Sequence, residues 1–146
     1  MQIINGGDKM ANYKISDIEG IGPAYQEKLR VANVRSVNAL LKKGGTRQGR
    51  KELVQTTGID DDLILKWVNM ADLYRVKGVG SEYSELLEKA GVDTVKELRN
   101  RNPENLHAKM VEVNSEGRPL VRQLPGLKMV QTWVNEAKKL DPMVTY

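Results

Sequence analysis

The chain has 146 residues, 40% of them hydrophobic, with no Cys, no Phe and a net charge of +4; that suits one domain, or two small units packed as one, with a core of Leu, Val, Ile, Met and Ala. The missing cysteines exclude a disulfide framework and any thiolate metal site. No apolar run approaches the ~20 residues of a membrane span, the start lacks the pattern of a secretory signal, and the mild positive excess permits an anionic partner without requiring one, so a cytoplasmic protein with no membrane role is expected.

Gly6 and Gly7 break any pattern near the start, so 1–13 is expected to be a flexible leader. Ser16-Asp17-Ile18-Glu19 has capping-box spacing but meets Gly20 at once, which allows one short turn. Pro23 suits the first position of the next helix, where its missing N–H costs nothing. Tyr25, Leu29 and Ala32 follow on one face, and Asn33 is a good left-handed stop. Ser36 opens another helix, Gly44-Gly45 breaks it, and a further helix through Lys51–Thr57 stops at Gly58. Asp60 is placed to cap a long helix over 61–76, striped by Leu63, Trp67, Met70 and Tyr74. Thr94 begins a full capping box with Glu97, and a final helix is expected from about Leu127 to Leu140, ended by Asp141-Pro142. Sustained two-residue alternation is missing, so the fold class is all-α.

The chain repeats itself. Residues 18–41 align with 76–99 at nine identities in 24 positions, among them Gly20/Gly78, Gly22/Gly80, Tyr25/Tyr83, Leu29/Leu87, Val37/Val95 and Leu40/Leu98. Later, Trp67-Val68-Asn69-Met70-Ala71 matches Trp133-Val134-Asn135-Glu136-Ala137 after eight extra residues, which the loop signal around Asn114–Pro119 accommodates. Two copies are therefore expected, 14–73 and 74–146, sharing the helix over 61–76 and packed as one compact unit over a shared Leu/Val/Trp core.

Each copy carries apolar-x-Gly-apolar-Gly-x-x-Tyr, as Ile18–Tyr25 and as Val76–Tyr83. Two glycines around one apolar residue permit a tight turn between helices and remove side chains that would block approach to the backbone. The turn feeds a helix N-terminus, whose free N–H groups and positive dipole end suit an anion such as phosphate. These segments resemble helix-hairpin-helix motifs, and 13–146 as a whole resembles a bacterial family of unassigned function that carries tandem copies of that motif. The resemblance implies contact with DNA backbone phosphates, without sequence reading, through Gly20, Ile21, Gly22 and Pro23 and through Gly78, Val79, Gly80 and Ser81. The chain departs from the pattern just after the second glycine, where such hairpins usually carry a basic residue: Ala24 and Glu82 stand there, with Glu19 and Glu85 close by.

A second candidate is the run Lys42, Lys43, Arg47, Arg50 and Lys51, five cations in ten residues with glycines between them and no acid. Two readings of it stand: a loop that follows a phosphate backbone, or a solvated helix end whose lysines complement the dipole. Arg99, Arg101, Arg118 and Arg122 are candidates for the matching surface of the second copy. A helix-turn-helix over Arg50–Trp67 is disfavoured by Asp60-Asp61-Asp62 at the start of its would-be recognition helix. His107, the single histidine, has no partners at a spacing that makes a metal or catalytic site. Trp67 and Trp133, at matching positions in apolar stripes, are expected in the core. The leading expectation is a module that binds duplex DNA without sequence preference. The alternative is a protein-interaction or scaffold module whose hairpins are purely architectural. No enzyme activity, cofactor or metal is expected.

Overall fold

The structure, a computed structural model, describes residues 13–146; the leader expected over 1–13 lies outside them but for Tyr13. A 3-10 turn, Ile15–Asp17, is followed by eight α-helices: α1 Pro23–Val31, α2 Val37–Gly44, α3 Arg47–Thr57, α4 Asp61–Leu73, α5 Ser81–Lys89, α6 Val95–Leu98, α7 Pro103–Asn114 and α8 Leu127–Ala137. Among the described residues there is no strand, only one isolated antiparallel bridge between Lys14 and Ser36. The protein is all-α.

The repeat is written into the backbone. Gly20 and Gly78 both sit at positive φ, +97° and +91°. The stop residues Asn33 and Gly91 both adopt left-handed conformations, at +64° and +95°. Each lets the chain fold back so that the N–H of Val34 reaches the Leu29 carbonyl at 2.8 Å and that of Val92 reaches Leu87 at 2.9 Å. Ser36 then caps α2 by accepting from the Ala39 N–H, and Thr94 caps α6 by accepting from Glu97. In the first copy α2 and α3 pack on α4; in the second α6 and α7 pack on α8 in the same places. The second copy joins α7 to α8 through Ser115–Gly126, where the first needs only Gly58–Asp60. Asn114 organises that longer connection, accepting from the N–H groups of Leu120 and Val121 at 2.8 and 3.1 Å.

Four details differ from the sequence reading. The 3-10 turn is closed by Asp17, whose carboxylate accepts from the Lys14 N–H, and not by Ser16. The helix expected over 61–76 ends at Leu73, because Arg75 and Val76 donate three residues back, to Asp72 and Leu73, and this tighter winding carries Val76 and Val79 inward. The final helix likewise stops at Ala137. The apolar residues form two clusters where a shared core was expected. One spans Ile15–Tyr74 with Val144 and gathers Leu29, Val37, Leu40 and Trp67; the other spans Leu73–Ala137 and gathers Leu87, Val95, Leu98 and Trp133. The end of α4 divides between them, with Leu73, its last residue, in the second and Tyr74, its C-cap, in the first.

The C-terminal tail returns from the second copy to close the first. Val144 is buried in the first cluster, the Thr145 N–H donates to the Gly45 carbonyl at 2.8 Å, and the Tyr146 hydroxyl donates to Asn69 at 3.2 Å. Leu29 and Leu87 are fully buried at equivalent points of the two clusters. Leu29→Ala and Leu87→Ala are each expected to cost about 2–5 kcal/mol in denaturant unfolding. Because the clusters are separate, the double variant is expected to lose close to the sum of the two.

Candidate nucleic-acid interface

Both glycine turns present the same backbone. After Gly20 the buried Ile21 turns inward, its N–H donating to Ile18; after Gly78 the buried Val79 does the same toward Val76. Gly22 and Gly80 follow as the N-caps of α1 and α5, both at negative φ. A side-chain carbon on Gly22 would meet nothing within 4 Å, and one on Gly80 only the Tyr13 hydroxyl at 4.0 Å. Neither backbone conformation nor packing requires glycine at these two positions. Their effect is to leave open the space in front of each helix.

The helix ends differ in how they are satisfied. Ser36, Thr46, Asp60, Thr94 and Asn102 each cap a helix with a side-chain oxygen, those of α2, α3, α4, α6 and α7. α1, α5 and α8 begin at Gly22, Gly80 and Gly126 with no side-chain cap. Pro23 has no N–H to offer, while the N–H groups of Ala24 and Tyr25 point forward from α1, and those of Ser81, Glu82 and Tyr83 from α5. Such free donors at the positive end of a helix attract an anion.

The two turns are neighbours. Tyr74, buried where α4 ends, donates its hydroxyl to the Asp17 carbonyl at 2.9 Å and lies beside Ser81 and Ser84 of α5. Burial pushes this phenol up to about 12, so it stays protonated and bridges the copies as a donor. Tyr13 stacks edge-on against Tyr74 at 4.7 Å. Acidic residues occupy the same region. The Glu85 carboxyl is raised from its ordinary value, first by burial and then by the nearby Glu19. In the second turn the Glu136 carboxylate accepts from the Lys77 N–H at 2.7 Å. The corresponding residue of the first copy is Met70, which has no such group to offer.

The basic run is no loop. Lys42 and Lys43 end α2, Thr46 caps α3, and Arg47, Arg50 and Lys51 lie in the first two turns of α3. Its glycines serve close packing. A side-chain carbon on Gly49 would sit 1.9 Å from the Lys43 carbonyl oxygen, one on Gly45 2.5 Å from that of Met143, and one on Gly44 2.6 Å from Val68. Arg50 is buried and donates to the carbonyls of Gly44 and Gly45 at 2.9 and 3.0 Å and to that of Thr145. Its guanidinium stitches the corner to the tail and leaves the set of cations free for a partner. Lys43 donates to the Ala32 carbonyl at 2.8 Å. Lys42, Arg47 and Lys51 remain exposed, with no ion pair among the described residues.

Of the arginines proposed for the second copy, Arg101 donates to the Gly91 carbonyl at 2.7 Å and pairs with Glu97, while Arg118 and Arg122 are exposed on the α7–α8 connection. His107 contacts the Pro125 carbonyl at 3.0 Å. Asp60, Asp61 and Asp62 lie exposed at the start of α4, where Asp60 caps the helix through the Asp62 N–H. Trp67 and Trp133 are 1% and 2% exposed, each beneath its glycine turn.

These turns and both copies fall within one family. A family model described as a domain of unknown function, DUF4332, matches residues 19–140. The chain belongs to that family. The match opens inside the first glycine turn and closes just after α8, so the family's unit comprises both copies. No curated protein and no solved structure matches the chain. Among the described residues, no helix is long and apolar enough to cross a membrane.

One residue that orders this region carries no sequence signal. Asp72 is 1% exposed on α4, pairs with Arg75 at 2.8 Å and accepts from the Val95 N–H, at the start of α6, at 2.8 Å. In the first copy the equivalent amide, Val37, is satisfied by the backbone carbonyl of Tyr13. The second copy has helix α4 in that place, its carbonyls taken internally, so a side chain reaches across instead. Burial raises the Asp72 carboxyl above its ordinary value, against the lowering pull of Arg75 and the Val95 N–H. The folded protein therefore holds this proton to higher pH than the unfolded chain, and Asp72 contributes less stability as pH rises through its folded value. Asp72→Asn keeps an acceptor for Val95, and its stability relative to wild type is expected to rise from pH 4 to pH 7 in urea melts. Asp72→Ala leaves a buried N–H unpaired and is expected to cost about 1–3 kcal/mol.

Proposed function

We propose that the protein is a binding module, not an enzyme, that holds duplex DNA by its phosphate backbone without reading sequence. The two glycine turns act as helix-hairpin-helix elements. The observation that carries this reading is that α1 and α5, two of the three helices without a side-chain cap, each follow a left-handed glycine turn and open at a glycine that the chain's own conformation and packing do not require. Contact between the turns through Tyr74 supports their addressing one backbone together. Lys42, Arg47 and Lys51 supply the remaining attraction, while Arg50 and Lys43 serve the fold.

The alternative, an interaction module with architectural hairpins, draws on the carboxylates of Glu19, Glu82 and Glu85 beside the turns. Salt dependence separates the two readings. Phosphate neutralisation releases counterions, so log affinity falls by about 0.9 per contacted phosphate for each unit of log salt. With roughly two to three cations engaged, the expected slope is about −2 to −3 for any duplex sequence. The measurement is fluorescence anisotropy on labelled duplex at 50 and 200 mM salt. Joint replacement of Lys42, Arg47 and Lys51 by Gln is expected to flatten the slope in a folded protein, whereas Arg50→Gln is expected to lower stability first. Absence of binding at 50 mM salt would favour the interaction module.

A further inference from the structure

The exposed first turn covers a buried donor that has no acceptor among the described residues. Trp67 is 1% exposed, and its indole N–H makes no hydrogen bond among the described residues. Buried indole N–H groups ordinarily find a partner, and leaving one without costs free energy. The nitrogen is not lost in the interior. It lies 3.3 Å from the point a side-chain carbon on Gly20 would occupy, on the exposed turn, and the ring meets Tyr25, in the first turn of α1, edge-on at 5.0 Å. The arrangement recurs in the second copy, where Trp133 Nε1 lies 3.5 Å from the corresponding point on Gly78 and is equally unpartnered. A donor left bare once is an accident of packing; one left bare at the same place in both copies is a property of the unit. The space the missing side chain vacates is within small adjustment of hydrogen-bond distance from the indole nitrogen.

We propose that the indole N–H of Trp67 is part of the anion site of the first turn, donating to a phosphate oxygen seated against Gly20 beside the uncapped start of α1. This rests on the nucleic-acid reading above and deepens it by naming a side-chain donor within that site. The first turn is the more open of the two, because Glu136 already holds the Lys77 N–H in the second and Met70 stands at its counterpart. The acceptor is an anion or another oxygen acceptor and not a cation, since an N–H repels positive charge.

Trp67 and Trp133 are the chain's two tryptophans, so each gives its own indole N–H resonance. The experiment titrates the full-length ¹⁵N-labelled chain with an unlabelled duplex of arbitrary sequence at 50 mM salt, assigning the two peaks with Trp133→Phe. In parallel, anisotropy measures duplex affinity for the wild type and for Trp67→Phe, which keeps an aromatic ring and removes the donor. The Trp67 peak is expected to move and to saturate with the anisotropy curve, and Trp67→Phe is expected to bind about tenfold more weakly, as for loss of a hydrogen bond to a charged group. A Trp67 peak that stays in place while the duplex binds overturns the inference and leaves the nucleic-acid reading standing. So does a folded Trp67→Phe with wild-type affinity. If Trp67→Phe does not fold, the wild-type peak decides alone. No binding of duplex by the wild type overturns both readings together.

Discussion

Gly20 and Gly78 hold left-handed backbone directly above an indole ring, and the rest of each copy is arranged around that contact. The positive φ lets the chain reverse within a few residues, which delivers Ile21 or Val79 inward and aims the next helix across the tryptophan. The tryptophan in turn belongs to the last long helix of its copy, so the turn and that helix are fixed to one another early and late in the sequence. Leu29 and Leu87, then Val37 and Val95, fill the space this leaves. A larger residue at either glycine meets a conformational penalty, and at Gly20 its first carbon would also press on the indole nitrogen at 3.3 Å.

Much of this is legible in the sequence, because repetition separates requirement from accident. Paired glycines, paired stop residues and paired hydroxyl caps recur 58 residues apart, and each has a local physical meaning that needs no knowledge of the partner helix. The basic run is the opposite case. Five cations separated by glycines look like a flexible loop, yet the glycines are there because α3 starts against the end of α2 and the tail lies across the corner. Glycine for flexibility and glycine for close approach are identical in a sequence. Only the neighbouring carbonyl, here that of Lys43 or Met143, tells them apart.

Arg50 and Asp72 escaped sequence reading for a related reason. Beside nearer partners, each of these charged residues also holds a backbone group far along the chain: the Thr145 carbonyl for one, the Val95 N–H for the other. Backbone partners leave no mark in residue identity, so no spacing or pattern reports them. Asp72 also has no counterpart in the first copy, where the Tyr13 carbonyl does its work. The repeat, so informative for the glycines, is silent where the copies diverge to join one another.

The tail that closes the first copy sets an order on events. Val144 completes the first apolar cluster and Thr145 bonds to Gly45 and Arg50, so contacts among the farthest apart in the chain finish the half that is made first. During synthesis from the N-terminus, α1–α4 emerge with the corner at Gly44–Gly45 uncovered and the Arg50 guanidinium short of one acceptor. That half can collect its helices but not its final contacts until Val144 and Thr145 have left the ribosome. Contacts of such long sequence separation are slow to form. The first copy to be translated is therefore the last to be finished.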